Sequence, residues 1–177
     1  MNETYLSIAD ARQCVKTNPT CEFATGHTWS EKTLSFVPLN SDNIPDANGA
    51  GGVISNVYDY SKWVRALMYE SGPVSKNGHQ ALKSPHSISS PLGKKPYSGP
   101  EWYGFGLSGS IYSGEKIYEH NGGLSGFVSK IAFLPDKQWG VVTLQNAANF
   151  AQDVVFWQLV DDFLGTPKSE RVDMNKE

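Results

Sequence analysis

The spacing of apolar side chains predicts one long amphipathic helix in the first half of the chain. In SNVYDYSKWVRALMYESG, residues 55–72, apolar side chains recur every three or four positions, as they do on the buried face of a helix. Ser55 stands at the expected N-cap, and Gly72 followed by Pro73 marks the expected end. The apolar face consists of Val57, Tyr60, Trp63, Val64, Leu67 and Met68.

From Trp102 onward the pattern changes to strands and then to a second helix. YGFGLSGSIY and EKIYEH flank Ser113-Gly114, a predicted tight turn, and GFVSKIAFL and GVVTLQN flank the loop PDKQW. These segments predict three or four antiparallel strands in sequence. NFAQDVVFWQLVDDFLG is rich in apolar residues and stops at Gly165 and Pro167, so it predicts a helix that covers one face of the sheet.

The chain divides into three stretches within one unit of residues 1–177. Residues 1–100 predict a loop-rich and helical region, with short helical turns near residues 7–14 and 78–82 in addition to the long helix. Residues 101–147 predict antiparallel strands, and residues 148–166 predict the C-terminal helix. The predicted fold class is α+β, an antiparallel sheet packed with helices.

Composition narrows the function classes. The 177 residues carry a formal net charge of −3 and a pI near 5.8, which offers no basic field for nucleic acid or an anionic membrane. No apolar run reaches the roughly 20 residues that a spanning helix needs, and residues 1–15 lack the order of a signal peptide. We therefore expect a soluble chain that binds neither nucleic acid nor membrane.

Two features bear on the compartment without deciding it. Cys14 and Cys21 bound the turn-forming stretch CVKTNPTC, and either a local disulfide or two free thiols suits that spacing. Asn2-Glu3-Thr4 is a glycosylation sequon, which is used only in a secreted eukaryotic protein. The localisation stays open, with secretion as one alternative.

The stretch YEHNGGLSGF concentrates glycine where strands are predicted. Glycine adds no packing and loses much backbone entropy on folding, so strand interiors normally avoid it. The run His120-Asn121-Gly122-Gly123 therefore predicts a place where another backbone or a ligand approaches closely.

These glycines belong to a longer ordered pattern. EHNGGLSGFVSKIAFLPDKQWGVVTLQNAAN resembles the third active-site motif and following strands of the serine β-lactamase-like family, which includes class C β-lactamases, D-aminopeptidases and related esterases. GAGGVISNVYDYSKWVRALM is similar to the family's glycine pair, Ser-capped helix and Asp, and YGFGL to the strand before the motif. MNET resembles the Met-x-x-Thr segment just beyond the second motif. The resemblance covers nearly the whole chain, in order.

The resemblance implies roles for the residues of this motif. The backbone N–H of Gly123 would donate to the oxyanion of a tetrahedral intermediate, and Gly122 would let a substrate backbone lie along the strand beside Asn121. His120 takes the place of a cationic lysine and would hydrogen-bond the general base or the polar end of the substrate. Because an unperturbed histidine is mostly neutral near pH 7, His120 favours esters or small amides over penicillins. Asn149 would either contact the ligand or cap the last helix.

The family mechanism also needs a nucleophile, and the sequence lacks a convincing one. Its Ser-x-x-Lys and its Tyr-x-Asn or Ser-x-Asn motifs belong before the region that this chain resembles. SGEK at Ser113 to Lys116 and SDN at Ser41 to Asn43 match by letter. We reject both, because SGEK falls on a predicted turn, SDN falls in a proline-bounded loop, and their order is inverted. The prediction is the C-terminal part of a β-lactamase/transpeptidase-like fold, incomplete without an N-terminal half and inactive alone.

A half-fold leaves a sheet edge and an apolar face exposed, so we expect an N-terminal partner chain or self-association. The expected substrate is a small ester, amide or acyl compound, and the resemblance implies no cofactor. No metal site is expected either, because His27, His79 and His86 lack ligand spacing and are predicted to lie on the surface. The alternatives are a non-catalytic ligand-binding descendant and a pure interaction fragment.

Other polar and aromatic residues are predicted to have structural roles. Ser55 and Asp59 are expected to cap the long helix, and Ser125 is expected to lie in a turn. Asn146 is expected at a strand end. The aromatic residues expected in the core or at its rim are Trp102, Tyr103 and Phe105.

Overall fold

The computed structural model describes residues 1–40 and 48–172. Within these ranges the helices are α1 (Ile8–Thr17), α2 (Asn48–Gly51), α3 (Val57–Tyr69), α4 (Lys76–Lys83) and α5 (Ala151–Leu164). The strands are β1 (Gly26–Ser30), β2 (Ser35–Leu39), β3 (Ser87–Ser90), β4 (Glu101–Tyr103), β5 (Ser108–Tyr112), β6 (Glu115–Leu124), β7 (Phe127–Leu134), β8 (Trp139–Gln145) and β9 (Ala147–Ala148). Among the helices in these ranges, none has the length and apolar character needed to cross a bilayer.

Six consecutive strands, β3 to β8, make the main sheet in chain order and are antiparallel throughout. The predicted turn at Ser113-Gly114 is confirmed, since its φ angles of 47° and 80° suit a two-residue type I′ turn. Ser125-Gly126, with φ angles of 46° and 81°, forms the same kind of turn at the other end of β6. The sheet has more strands than predicted, in part because β4 spans only three residues and is too short to show alternation.

The main sheet is packed on both faces. The buried cluster on the α5 face contains Tyr112, Ile117, Ala132, Leu134, Phe156, Trp157 and Val160. The buried cluster on the α3 face contains Val64, Leu67, Leu107, Tyr118, Ile131 and Phe133. Neighbouring residues of one strand fall in different clusters, because successive side chains of a strand point to opposite faces. The α+β class is thus confirmed, and so is the position of the last helix over one face of the sheet.

The long predicted helix is α3, and its caps differ from the prediction. Asn56, not Ser55, is the N-cap, because its side chain accepts a hydrogen bond from the Asp59 N–H at 2.8 Å. The helix ends at Tyr69, and Glu70 follows in the left-handed conformation with φ 52°. The helix therefore stops before Gly72, the residue that the sequence favours as its end.

Asp59 holds the N-terminal segment and does not cap the helix. Its carboxylate accepts hydrogen bonds from the Glu3 N–H at 2.7 Å and the Thr4 hydroxyl at 3.2 Å, and it pairs with Lys62 at 2.7 Å. The Ser55 hydroxyl also contacts that of Thr4 at 2.8 Å. The hydrogen bond from Lys62, followed by that from the Glu3 amide, lowers the pKa of Asp59 to about 2. These contacts join the MNET segment to the start of α3.

Residues 1–100 contain strands where only loops and helices were predicted. β1 and β2 form an antiparallel hairpin, and β1 also pairs in parallel with β9. Neither GHTWS nor SFVPL shows clear apolar alternation, and Pro38 interrupts the second. This small sheet meets the end of β6, since the His27 N–H donates to the carbonyl oxygens of Gly126 at 3.3 Å and Asn146 at 2.9 Å.

The structure also decides the state of the two cysteines, which the sequence left open, and corrects the predicted position of one histidine. Cys14 and Cys21 are joined by a disulfide, which decides between the bridge and free thiols. His79 is fully buried, contrary to its predicted surface position, and its Nε2 lies 3.2 Å from the carbonyl oxygen of Ser71. A single histidine in a polar stretch gives no sign of burial, because the burial comes from the docking of α4 beside the end of α3.

Candidate active site

The glycine-rich motif lies at the far end of the β6–β7 hairpin. The base of β6 is buried in both cores at Ile117 and Tyr118, whereas residues 121–124 are all exposed. β6 also extends past its neighbour, because β5 begins at Ser108, opposite Glu119. Beyond Glu119, this edge of β6 has no strand partner among the described strands.

The strand register determines where the backbone of this tip points. Leu124 and Phe127 flank the two-residue turn, and the flanking residues of such a turn form a hydrogen-bonded pair. Because hydrogen-bonded and non-hydrogen-bonded pairs alternate, Gly123 and Asn121 form non-hydrogen-bonded pairs with β7. Counting residue pairs from the β5–β6 turn, at the other end of β6, gives the same alternation of hydrogen-bonded and non-hydrogen-bonded pairs. The N–H and C=O groups of Gly123 and Asn121 therefore point toward the edge that β5 leaves open.

The two glycines of the tip differ in their surroundings. A β-carbon at Gly122 would lie 2.6 Å from Ser129 Oγ on β7, whereas the nearest atoms to a β-carbon at Gly123 are 3.9 Å away. Strand packing thus disfavours a side chain at Gly122 unless Ser129 moves. Packing imposes no such limit at Gly123, so the space beside its α-carbon is free for a ligand.

His120 sits where the buried part of β6 gives way to the tip. Strand alternation places it on the same face as Tyr118, the α3 face. Its Nε2 lies 3.2 Å from the hydroxyl of Tyr103, which ends β4 two strands away. Tyr103 is 37% exposed, in keeping with the predicted core or rim position. Its contact with His120 was missed, because no local sequence pattern links residues that only the β4–β5–β6 pairing brings together.

Asn149 lies on the other side of the hairpin. Its Oδ1 accepts hydrogen bonds from the Ala151 N–H at 2.9 Å, next to the start of α5, and from Gln145 Nε2 at 2.8 Å. The N-cap position itself belongs to Phe150. Gln145 pairs with Val128, which pairs with Gly123, so about two strand spacings, roughly 10 Å, separate Gln145 from Gly123. In the described residues, no hydrogen bond joins Asn149 to His120, Asn121 or Gly122.

The rejected SGEK motif lies at the β5–β6 turn. Ser113 lies in the β5–β6 turn with its Oγ 3.4 Å from Thr166 Oγ1, and Lys116 follows on β6 opposite Ile111. SDN, at Ser41 to Asn43, lies outside the described residues. Ser125 lies in the β6–β7 turn, as predicted. SGEK therefore lacks the helix start that the family nucleophile requires.

A charged cluster lies behind His120, on the α5 face of the sheet. Glu119 accepts a hydrogen bond from the Tyr97 hydroxyl, and Lys130 donates to Asp153 at 3.1 Å. Burial raises the pKa of Glu119, although the nearby Lys130 charge and the Tyr97 hydrogen bond oppose the shift. Glu119 Oε2 is buried without a hydrogen-bond partner in the described part of the chain. This partly buried, charged face differs from the exposed tip, which begins two residues later at Asn121.

A six-stranded antiparallel sheet between two helices, with an open-edged His-x-Gly strand, is the arrangement expected of a serine β-lactamase-like protein. The family model described as Beta-lactamase matches residues 15–162. This match covers more than half of the sequence, and the chain belongs to the Beta-lactamase family.

Two curated relatives are similar over the whole of this chain. An unguisins hydrolase of Aspergillus campestris is 33% identical over 180 residues, which cover 99% of this chain and 32% of the relative. An unguisins hydrolase of Aspergillus violaceofuscus is 29% identical over 193 residues, which cover 100% of this chain and 34% of the relative. The chain thus spans about a third of the length of the curated relatives that it matches.

Two solved structures share the fold. The octameric penicillin-binding protein homologue from Pyrococcus abyssi superposes with a TM-score of 0.72 at 21% identity, over 93% of this chain and 34% of its own. The D-stereospecific amidohydrolase from a Streptomyces species superposes with a TM-score of 0.58 at 21% identity, over 81% of this chain and 40% of its own. The chain therefore corresponds to part of a penicillin-binding protein and β-lactamase fold.

Proposed function

We propose that this chain forms one wall of a serine hydrolase or acyltransferase site that acts through an acyl-serine intermediate on an ester, amide or lactam. The observation that carries the proposal is the open edge of β6, where the outward backbone of Asn121 and Gly123 lies beside His120. A rigid strand with an unpaired edge can bind an extended substrate by backbone pairing. Membership of the Beta-lactamase family supports hydrolytic chemistry at this edge.

Each motif residue has a distinct role in this proposal. The Gly123 N–H stabilises the oxyanion of the tetrahedral intermediate. Asn121 and Gly122 hold the substrate along the strand, and His120 hydrogen-bonds the polar end of the substrate or the general base. Asn149 is assigned no ligand contact in this proposal, because it lies across the hairpin from the open edge and its Oδ1 already accepts two hydrogen bonds.

The names of the relatives favour hydrolysis, in one case of an amide. Both curated relatives are named hydrolases of unguisins, and a structural neighbour is named a D-stereospecific amidohydrolase. These names agree with a histidine in place of a lysine at position 120, which we expect to suit small amides or esters better than penicillins.

In this proposal the serine nucleophile and its lysine come from outside the chain. The chain spans about a third of its curated relatives, and the outer edge of β8 has no strand partner in the described sheet. Beside β8, the outer side of α5 exposes Val155, Leu159 and Phe163 at intervals of four residues, and Phe163 stacks on Trp139 at 4.6 Å. An unpaired edge next to an apolar stripe is typical of a surface that is covered by a partner.

The partner is an N-terminal segment that carries the Ser-x-x-Lys motif. Self-association is the second arrangement, and the Pyrococcus abyssi homologue is octameric. The Cys14–Cys21 disulfide supports secretion, as does the sequon at Asn2 if the source is eukaryotic.

Labelling with a fluorophosphonate probe, together with p-nitrophenyl ester turnover, tests this proposal. The isolated chain should neither take up the label nor turn over the ester. When a polypeptide carrying Ser-x-x-Lys from the same source is added, the label should appear on that polypeptide's serine and ester turnover should begin. Label on the isolated chain that is lost with Ser113→Ala would instead make SGEK the nucleophile.

Two variants of one residue test the oxyanion donor in the active assembly. Gly123→Pro removes the N–H, which is outside the β6–β7 ladder and so leaves the sheet paired. It should lower kcat by about 10²–10³, as loss of one oxyanion donor does. Gly123→Ala keeps the N–H and is the matched control. Equal losses in both variants would contradict the donor role, and an assembly that binds substrate without turnover would favour the non-catalytic alternative.

A further inference from the structure

We infer that Tyr103 is a positioning residue for His120, whose imidazole it holds in the form protonated at Nδ1. The inference rests on the proposed function, because it concerns the same open edge of β6. The observation behind it is the 3.2 Å separation between the Tyr103 hydroxyl and His120 Nε2. The ring centroids are 6.3 Å apart with the planes tilted by 49°, so the hydroxyl, and not the ring face, makes the contact.

Either group can donate in this contact, and we assign the donor role to the Tyr103 hydroxyl. A neutral imidazole has one N–H donor and one acceptor nitrogen, and a phenol can donate its O–H. Donation from Tyr103 to Nε2 leaves the proton of His120 on Nδ1, because the partner of one ring nitrogen determines the state of the other. Within residues 1–40 and 48–172, no second hydrogen bond to the His120 ring is found, so the Nδ1–H is available to a ligand.

The surroundings of Tyr103 keep it in place. Its backbone pairs with Ser108 on β5, and its carbonyl oxygen accepts a hydrogen bond from the His86 N–H at 2.9 Å. The preceding residue, Trp102, packs edge-on against Tyr118 with centroids 6.4 Å apart. A tyrosine anchored on both sides by sheet contacts can hold a hydrogen bond at a nearly constant position.

An Nδ1–H donor beside the open edge defines a class of substrate. A neutral N–H can hydrogen-bond a carbonyl oxygen, whereas a lysine in this place would carry a full positive charge suited to a carboxylate. Held by Tyr103 in this form, His120 presents its Nδ1–H to an acyl substrate, such as the carbonyl of an ester or an amide.

The protonation form of His120 can be read directly by nitrogen-15 NMR of the imidazole. In the wild-type chain, at a pH high enough for the ring to be neutral, we expect Nδ1 to be protonated and Nε2 to be unprotonated, with His120→Gln used to assign the signals. Tyr103→Phe should shift the ring toward the Nε2–H form. Tyr58→Phe removes a hydroxyl at a site that is 72% exposed, and it should leave the His120 signals unchanged.

A wild-type His120 that is protonated at Nε2, or signals that do not move in Tyr103→Phe, would overturn the inference. The wild-type spectrum decides the question even if Tyr103→Phe fails to fold. The probe assay reports on the proposed function separately. An active, labelled assembly with the Nε2–H form would reject this inference alone, whereas the Nδ1–H form without label on any serine would reject the hydrolase and keep the Tyr103 contact.

Discussion

The base and the tip of the β6–β7 hairpin share two strands and one register but differ in what surrounds them. At the base, Ile117, Ala132 and Phe133 are fully buried between α3 and α5, and apolar burial stabilises the pair. At the tip, residues 121–124 are exposed and one edge is unpaired. The tip is held by its pairing with β7 and by its contact with the small sheet. That contact is so close that a β-carbon at Gly126 would lie 2.5 Å from the backbone nitrogen of His27. The tip can thus expose unpaired backbone, because the buried base holds one end of the hairpin and the small sheet holds the other.

The largest expected effect comes from the base. Phe133→Ala removes a fully buried ring and should lower the free energy of unfolding by about 3–5 kcal/mol, as truncation of a buried aromatic side chain does. Urea denaturation of the chain measures this loss. A cost below about 1 kcal/mol would mean that the base is not a close-packed core and that the contrast with the tip fails.

The two glycines of the tip should respond differently to the same methyl group. Gly122→Ala places a β-carbon 2.6 Å from Ser129 Oγ, and such overpacking should cost about 1–3 kcal/mol of unfolding free energy. Gly123→Ala meets no atom closer than 3.9 Å and should change stability by less than about 0.5 kcal/mol. Thermal or urea unfolding measures both. Adding Ser129→Ala, which removes the clashing Oγ, to Gly122→Ala should restore stability, and its failure to do so would place the strain elsewhere.

Glu119, at the boundary between base and tip, should give stability a distinctive pH dependence. Burial raises its folded-state pKa above the ordinary value of 4.5, so between these two values the native state binds more protons than the unfolded state. The contribution of Glu119 to stability therefore falls as pH rises through this window. Denaturation of the wild type and of Glu119→Gln from pH 4 to pH 8 measures it. The stability of the variant relative to the wild type should rise with pH, and a constant difference would mean that the carboxyl titrates as in the unfolded chain.

A similarly small effect is expected at the exposed end of the hairpin. Leu124 is 42% exposed, so Leu124→Ala should change the free energy of unfolding by no more than about 0.5 kcal/mol. The same urea experiment that is used for Phe133→Ala measures it. A loss approaching that of Phe133→Ala would show that the tip is packed against something in solution, and it would point to self-association at this edge.

The candidate site was only partly predictable. The run from His120 to Gly123 stood out because glycine is unusual in a strand, and the family resemblance assigned roles to it. The contact between Tyr103 and His120, the outward direction of the Gly123 N–H and the occupied Oδ1 of Asn149 all depend on strand register and on the start of α5. These features depend on residues that are far apart in the sequence, or on which strand edge a backbone group faces. Local sequence patterns carry neither kind of information.

The sequence by itself determined the long helix, the turn at Ser113-Gly114, the last helix and the family, because each depends on short-range periodicity, turn chemistry or an ordered motif. Only the tertiary structure decided that Asp59 binds the N-terminal segment, that His79 is buried and that β1 pairs with both β2 and β9. Each of these depends on partners brought from elsewhere in the chain. The physical reason is that side-chain period and backbone preference are local properties, whereas burial, hydrogen-bond partners and strand pairing are fixed by the packing of the whole fold.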